Sequence, residues 1–182
     1  MKRTIPILLL LLSSCSSELT IRTDYDPDYK IAALPSYTWL ERTNIEAGKN
    51  PKYYNELNDQ RIKRAVDKAL QSRGYRKDDD KADMVLHYHI MIEDKETQVR
   101  EYESDQYGPY WQRPEGHVHV YQEGTLLLDV MDQHNRLIWR GSASSPLELS
   151  YTPQRKTDLI EKAVSRMFRT FPEHRNGSTG PL

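Results

Sequence analysis

Cys15 is the most distinctive residue for chemistry because it is the only cysteine of the chain. A positively charged start, an apolar run over residues 5–12 and the sequence Leu-Ser-Ser-Cys come in the order typical of a bacterial lipobox, in which the cysteine thiol carries a lipid. The apolar run is far shorter than the ~20 residues of a membrane-spanning helix. We therefore interpret residues 1–14 as a signal peptide that is removed. The alternative is an ordinary signal peptide followed by a cysteine without a role.

A lipidated Cys15 would fix the protein to a membrane, since stable anchoring takes two or more acyl chains. Ser16 follows, where an aspartate commonly retains lipoproteins of Gram-negative bacteria in the inner membrane. We therefore expect the outer membrane, with the protein facing the periplasm, if the source is Gram-negative. Residues 15–18 form a tether of roughly 15 Å at most. The folded part should lie close to the membrane.

Two histidine pairs give the sharpest metal hypothesis. His87 and His89 lie two residues apart on one predicted strand, and His117 and His119 do the same on another, so each pair shares a face. If the strands pair, four imidazoles could meet and bind Zn, Cu or Ni. The alternative is the polar face of a half-exposed sheet. Periplasmic metal binding is therefore the second functional hypothesis.

Tyr107, Tyr110 and Trp111 lie in a loop rich in Gly and Pro, predicted over residues 104–116. Aromatic rings give rigid contact area for sugars and for protein interfaces. Peptidoglycan or another envelope protein would be the natural partner of such a surface. The alternative is that the loop packs its own rings onto the sheet.

The sequence contains no motif that predicts calcium binding, nucleophilic catalysis or nucleotide binding. Asp24, Asp26 and Asp28 resemble the opening of a calcium loop, but Tyr29 stands where that loop needs glycine, so they more simply mark a strand end and a turn. The small residues 141–145 do not form a nucleophile elbow, and no phosphate loop or dinucleotide fingerprint occurs. Removing residues 1–14 takes the net charge from -1 to -3, which gives no reason to expect nucleic-acid binding. We expect neither an enzyme nor a bound cofactor.

The elements that position these residues follow from periodicity. Alternating patterns predict strands over residues 19–25, 37–40, 82–93, 97–102, 117–122, 124–132 and 136–143. Apolar residues at spacings of three and four predict two helices. The first begins near Asn55 or Asn58 and ends at Gly74; the second begins with Thr152 as N-cap and ends before Pro172.

This order predicts a single α+β domain over residues 19–172, followed by a disordered tail, 173–182. Both helices should pack on one face of a largely antiparallel, possibly mixed, sheet.

Several short motifs in order make the chain resemble a bacterial lipoprotein family, domain of unknown function 4136. The most specific are Glu-Gly-Thr-Leu at residues 123–126 and Trp-Arg-Gly at residues 139–141; the others are Tyr-Asp-Pro at 25–27, Tyr-Thr-Trp at 37–39, Gly-Tyr at 74–75, Ala-Asp at 82–83 and Phe-Pro at 171–172. The resemblance implies a lipid-anchored envelope protein with an α+β domain. It supplies no catalytic residues.

Overall fold

The computed structural model describes residues 19–40, 51–101, 115–148 and 150–174. It is a six-stranded sheet with two α-helices, in which the strands lie in the order β1-β6-β5-β4-β2-β3. The strands are β1 (Thr20–Tyr25), β2 (Ser36–Trp39), β3 (Arg76–Lys77), β4 (Met84–Glu101), β5 (Glu115–Asp132) and β6 (Leu137–Pro146); the helices are α1 (Glu56–Gln71) and α2 (Pro153–Met167).

Side-chain caps fix where both helices begin. The Asn58 backbone N–H donates to Asn55 Oδ1 at 3.0 Å, which makes Asn55 the N-cap of α1. The Arg155 N–H donates to Thr152 Oγ1 at 3.2 Å, and Pro153 then occupies the first turn of α2. The sequence had left Asn55 and Asn58 open as the cap of α1, and it placed Thr152 correctly.

The ends of the helices follow the same local rules. Gly74, three residues after α1, adopts a φ of 86°, the left-handed conformation expected of a glycine at this position. The second helix is shorter than predicted, because the chain tightens at Phe168 into a 3-10 turn over Phe168–Thr170. No helix among the described residues is long and apolar enough to cross a membrane.

The predicted α+β class with a largely antiparallel sheet is confirmed. β1, β6, β5 and β4 pair antiparallel, whereas β2 runs parallel to both β4 and β3. Alternate strand residues point to the helix side and form the core with the apolar faces of both helices; they include Met84, Leu86, Tyr88, Leu128, Val130 and Trp139. The other face of the sheet is covered by no helix among residues 19–40, 51–101, 115–148 and 150–174.

The middle of the chain differs from the prediction. The two strands predicted over 82–93 and 97–102 are one strand, β4, and those predicted over 117–122 and 124–132 are one strand, β5. The polar stretches that looked like breaks pair across β4 and β5 without interruption, from Met84↔Asp132 to Glu101↔Glu115. The predicted loop over 104–116 therefore ends too late, since β5 already begins at Glu115.

Asp26 marks a turn, as predicted. Its Oδ1 accepts a hydrogen bond of 3.0 Å from the Asp28 N–H just after β1 ends. This is the local side-chain turn that aspartate favours.

Candidate functional site

A two-stranded arm extends beyond the main sheet. β6 pairs with β5 only as far as Glu123↔Pro146, and β2 reaches β4 only at its first residues. The eight pairs formed by residues 94–101 and 115–122, which we call the arm, are flanked by no further strand among the described residues. At about 3.4 Å per residue the arm is roughly 25 Å long. A ribbon of this kind has marginal stability alone in water, so a partner would stabilise it.

The arm carries exposed apolar and charged side chains. Val118 and Val120 are 57% and 58% exposed and lie on the same side of β5 as Leu126 and Leu128. At its base, Lys95 Nζ lies 2.7 Å from Glu93 and 3.9 Å from Glu123. Its hydrogen bond to Glu93 raises the pKa of Lys95 above the usual value. The arm thus combines a charged base with an uncovered apolar strip.

The predicted aromatic residues belong to the connection at the far end of the arm. Glu101 and Glu115 face each other in register, and the chain joins them through residues 102–114. Tyr107, Tyr110 and Trp111 fall in that connection and lie outside the described residues, as does Cys15.

The histidine pairs do not come together. Their strands pair, but His89 lies opposite Leu127, whereas His119 lies opposite Thr97, eight positions further along β4. This separates the pairs by roughly 27 Å. The hypothesis of a four-histidine metal site is therefore wrong. Among the described residues no group of three or more His, Cys, Asp or Glu side chains could hold a metal ion.

His87 instead belongs to a polar row across the open face. The register aligns Asp24 with Arg140, Arg140 with Asp129, and Asp129 with His87 on four adjacent strands. Arg140 donates from Nε and Nη2 to the two oxygens of Asp129 at 2.6 and 2.7 Å. This bond raises the pKa of Arg140, with further contributions from the charges of Asp129 and Asp24. Asp129 is only 7% exposed, so its carboxylate is held by a structural ion pair.

An apolar cleft opens between the helices and the sheet at the base of the arm. Its volume is about 160 Å³. The apolar lining comes from both helices, from β4 and β5 and from the residue before β1, and includes Leu19, Ile62, Ile90, Ile92, Leu126 and Ile160. The charged lining residues are Lys52, Lys156 and Glu148, all exposed. Sequence patterns could not reveal this cleft, because each lining residue looks like ordinary core.

The glycines of the two most specific motifs provide space for packing. A Cβ on Gly141 would lie 2.4 Å from Cη2 of Trp139 and 3.1 Å from the sulfur of Met167. A Cβ on Gly124 would lie 2.7 Å from Cδ2 of Leu147. The Trp-Arg-Gly motif therefore serves the core and, through Arg140, the polar row, which explains it without any catalytic role.

Comparison with protein families gives one match over most of the chain. The family described as Domain of unknown function (DUF4136) matches residues 21–173. No protein with a curated description matches the sequence.

Solved structures resemble this chain at low sequence identity. A PDZ domain protein from Parabacteroides distasonis ATCC 8503 superposes with a TM-score of 0.54 at 14% identity, over 88% of this chain. The matched region is only 38% of that protein. Two crystal forms of the PelC dodecamer from Paraburkholderia phytofirmans give TM-scores of 0.40 and 0.42 at 12% identity, covering 82% and 87% of this chain and 97% and 100% of theirs. The likeness to the Parabacteroides protein, at 14% identity, extends to the fold alone.

Proposed function

We propose, from the premise that this chain belongs to the DUF4136 family, that it is a lipid-anchored protein of the bacterial envelope with a non-catalytic binding or scaffolding role. The acyl groups would be attached to Cys15, and the membrane would be the outer membrane of a Gram-negative cell, with the domain in the periplasm. The arm would hold the partner, which we take to be another envelope protein or peptidoglycan.

The observation that carries the proposal is that the tether and the arm leave the same end of the sheet. Thr20, the first residue of β1, lies in one row with Ser144, Thr125 and Met91. The arm begins only three residues beyond Met91 on β4. A chain held at Cys15 by a tether of about 15 Å would therefore keep an arm of about 25 Å beside the membrane surface.

The composition of the arm supports a binding role more than a catalytic one. Its described surface offers apolar valines and ion-paired side chains, and the segment at its end contains three large aromatic residues. Aromatic residues contribute much of the binding energy in many interfaces. The polar row on the open face is committed to the Asp129–Arg140 ion pair.

Anchoring is tested by expressing the wild type and Cys15→Ala in a Gram-negative host. We expect the wild type in the outer-membrane fraction with a mass increase equal to three acyl chains, and we expect no such increase in the variant. Wild-type protein that is soluble and unmodified would overturn the anchoring.

Binding through the arm is tested by crosslinking pull-down from envelopes and by co-sedimentation with purified peptidoglycan. The double variant Tyr110→Ala/Trp111→Ala should lose most of the partner captured by the wild type. Tyr25→Ala is the matched control, because Tyr25 is an exposed aromatic residue at the opposite end of β1. Equal capture by the double variant and the control would remove the aromatic segment from the proposal.

A further inference from the structure

The cleft at the base of the arm leaves apolar core surface uncovered. It is bounded by α1 and α2 on one side and by β4, β5 and β6 on the other, so an occupant would be enclosed by packed elements. An apolar region that is open to water at the end of a core favours an apolar occupant, because burial removes its surface from water.

We propose that this cleft binds an acyl chain that carries an anionic head group, a fatty acid drawn from the neighbouring membrane. Its volume of about 160 Å³ is close to the ~150 Å³ of an engineered apolar cavity that binds benzene, so it accommodates about six carbon atoms. A longer chain continues along the helix side of the arm, where the exposed Val120 and Val118 extend the apolar surface beyond Gly124.

The charged residues at the cleft favour an acid head group. Lys52 and Lys156 both line it, against one carboxylate, that of Glu148. The first turn of α2 contains no acidic residue and lies at the same end, since Lys156 lines the cleft, and helix N-termini attract anions.

Tyr53 adds a polar group that lacks a partner. It lines the cleft, and its hydroxyl is buried without a hydrogen-bond partner among the described residues. Such groups in proteins are normally satisfied. This hydroxyl has almost no accessible surface, so a bound carboxylate would accept its hydrogen bond after the Tyr53 ring turns towards the cleft.

The membrane as the source of the ligand rests on the proposed anchoring. Leu19 lines the cleft and is four residues from Cys15, so a lipidated Cys15 would hold the cleft near the lipid surface. Binding itself does not depend on that premise and can be measured without it.

The test is calorimetric titration of the chain from residue 15 to residue 182 with Cys15→Ser, which carries no acyl groups and retains all residues of the family match. Octanoate, decanoate and dodecanoate are added below their micelle-forming concentrations. We expect one site, with the dissociation constant falling about fourfold for each methylene that becomes buried. Decanol should bind about tenfold more weakly than decanoate, because it lacks the charge. Absence of saturable binding by all three acids would overturn the proposal.

Two variants test the location. Ile160→Trp fills the cleft and should abolish decanoate binding, whereas Leu137→Trp, at an exposed position away from the cleft, should bind as the wild type does. Circular dichroism establishes that both fold. If Ile160→Trp is unfolded, the double variant Lys52→Gln/Lys156→Gln tests the location instead. It should bind decanoate more weakly than the wild type and decanol equally well. Lys162→Gln is its control. Unchanged decanoate affinity in the double variant or in folded Ile160→Trp would overturn the proposal, even if Cys15 proves to be lipidated.

Discussion

Gly141→Ala should destabilise the protein because its new methyl group meets the buried ring of Trp139. The nearest atom is Cη2 of Trp139, at 2.4 Å, well inside van der Waals contact. Trp139 is 1% exposed, stacks on Phe168 at a ring distance of 5.2 Å and meets Phe171 edge to face. The indole can therefore move aside only if its contacts with Phe168 and Phe171 change.

The magnitude follows from two opposing terms. Overpacking of a core costs about 1–3 kcal/mol. Replacing a glycine within a strand by alanine recovers about 0.5–1 kcal/mol of backbone entropy. The net loss in the free energy of unfolding should be about 1–2 kcal/mol, which lowers the melting temperature by roughly 2–8 °C for a domain of this size.

Gly124→Ala is the matched control. Its methyl group would lie 2.7 Å from the end of Leu147, a partly exposed and flexible side chain that can turn away. We expect its stability to stay within about 0.5 kcal/mol of the wild type. Urea unfolding followed by circular dichroism compares the two variants in the same mature chain with Cys15→Ser.

A double-mutant cycle isolates the contact between the new methyl group and Trp139. Trp139→Phe removes the ring atom that the methyl group meets, so Gly141→Ala should cost much less in that background than in the wild type. Equal costs in both backgrounds, or a Gly141→Ala protein at least as stable as Gly124→Ala, would refute the packing argument.

The remaining predictions concern an ion pair, a buried phenol and a helix cap. Arg140→Ala leaves the nearly buried Asp129 without its charged partner and should cost about 1–3 kcal/mol in urea unfolding, whereas Lys95→Ala, in the exposed pair at the base of the arm, should change little. Burial raises the pKa of Tyr75 to about 12, so its contribution to stability is complete below pH 10 and is lost as the pH rises towards 12. Tyr75→Phe should show a smaller fall in stability between those pH values than the wild type, and an identical fall would contradict this assignment. Thr152→Ala should cost about 1 kcal/mol in thermal unfolding, because the Arg155 N–H loses its acceptor, and Thr152→Ser should restore most of it.

Local signals explain which parts of the fold could be predicted. Asn55, Gly74 and Thr152 act on backbone groups within a few residues of themselves, and the structure has them near the predicted helix ends. The strands over 97–102 and 117–122 were predicted, but their continuity with the main sheet was missed, because residues 93–96 are all charged and interrupt the apolar alternation by which a strand is recognised. β3 has only two residues, too few for any periodicity.

Pairing across strands explains the failures at the candidate site. The sequence correctly puts His87 and His89 on one face. Whether they meet His117 and His119 depends on the register between β4 and β5, which the spacing of residues within one strand does not reveal. The Asp129–Arg140 pair was invisible for the same reason, although the turn near Asn135 brings those strands together. Spacing thus predicts which residues of one strand share a face, but it does not predict which residues of two strands lie opposite each other.

The position of the cleft relative to the arm gives the two proposals a physical connection. Ile92 and Gly124 line the cleft and face each other one pair before the last pair that β6 supports, so the base of the arm is also a wall of the cleft. An occupant that packs against these residues would restrict the bending of the ribbon at its attachment to the sheet. If that restriction changes the affinity of the arm for its partner, the two sites are coupled. The bound partner must then change the affinity of the cleft for its occupant by the same factor. The arm and the cleft should therefore behave as one coupled unit at the end of the domain where β1 begins.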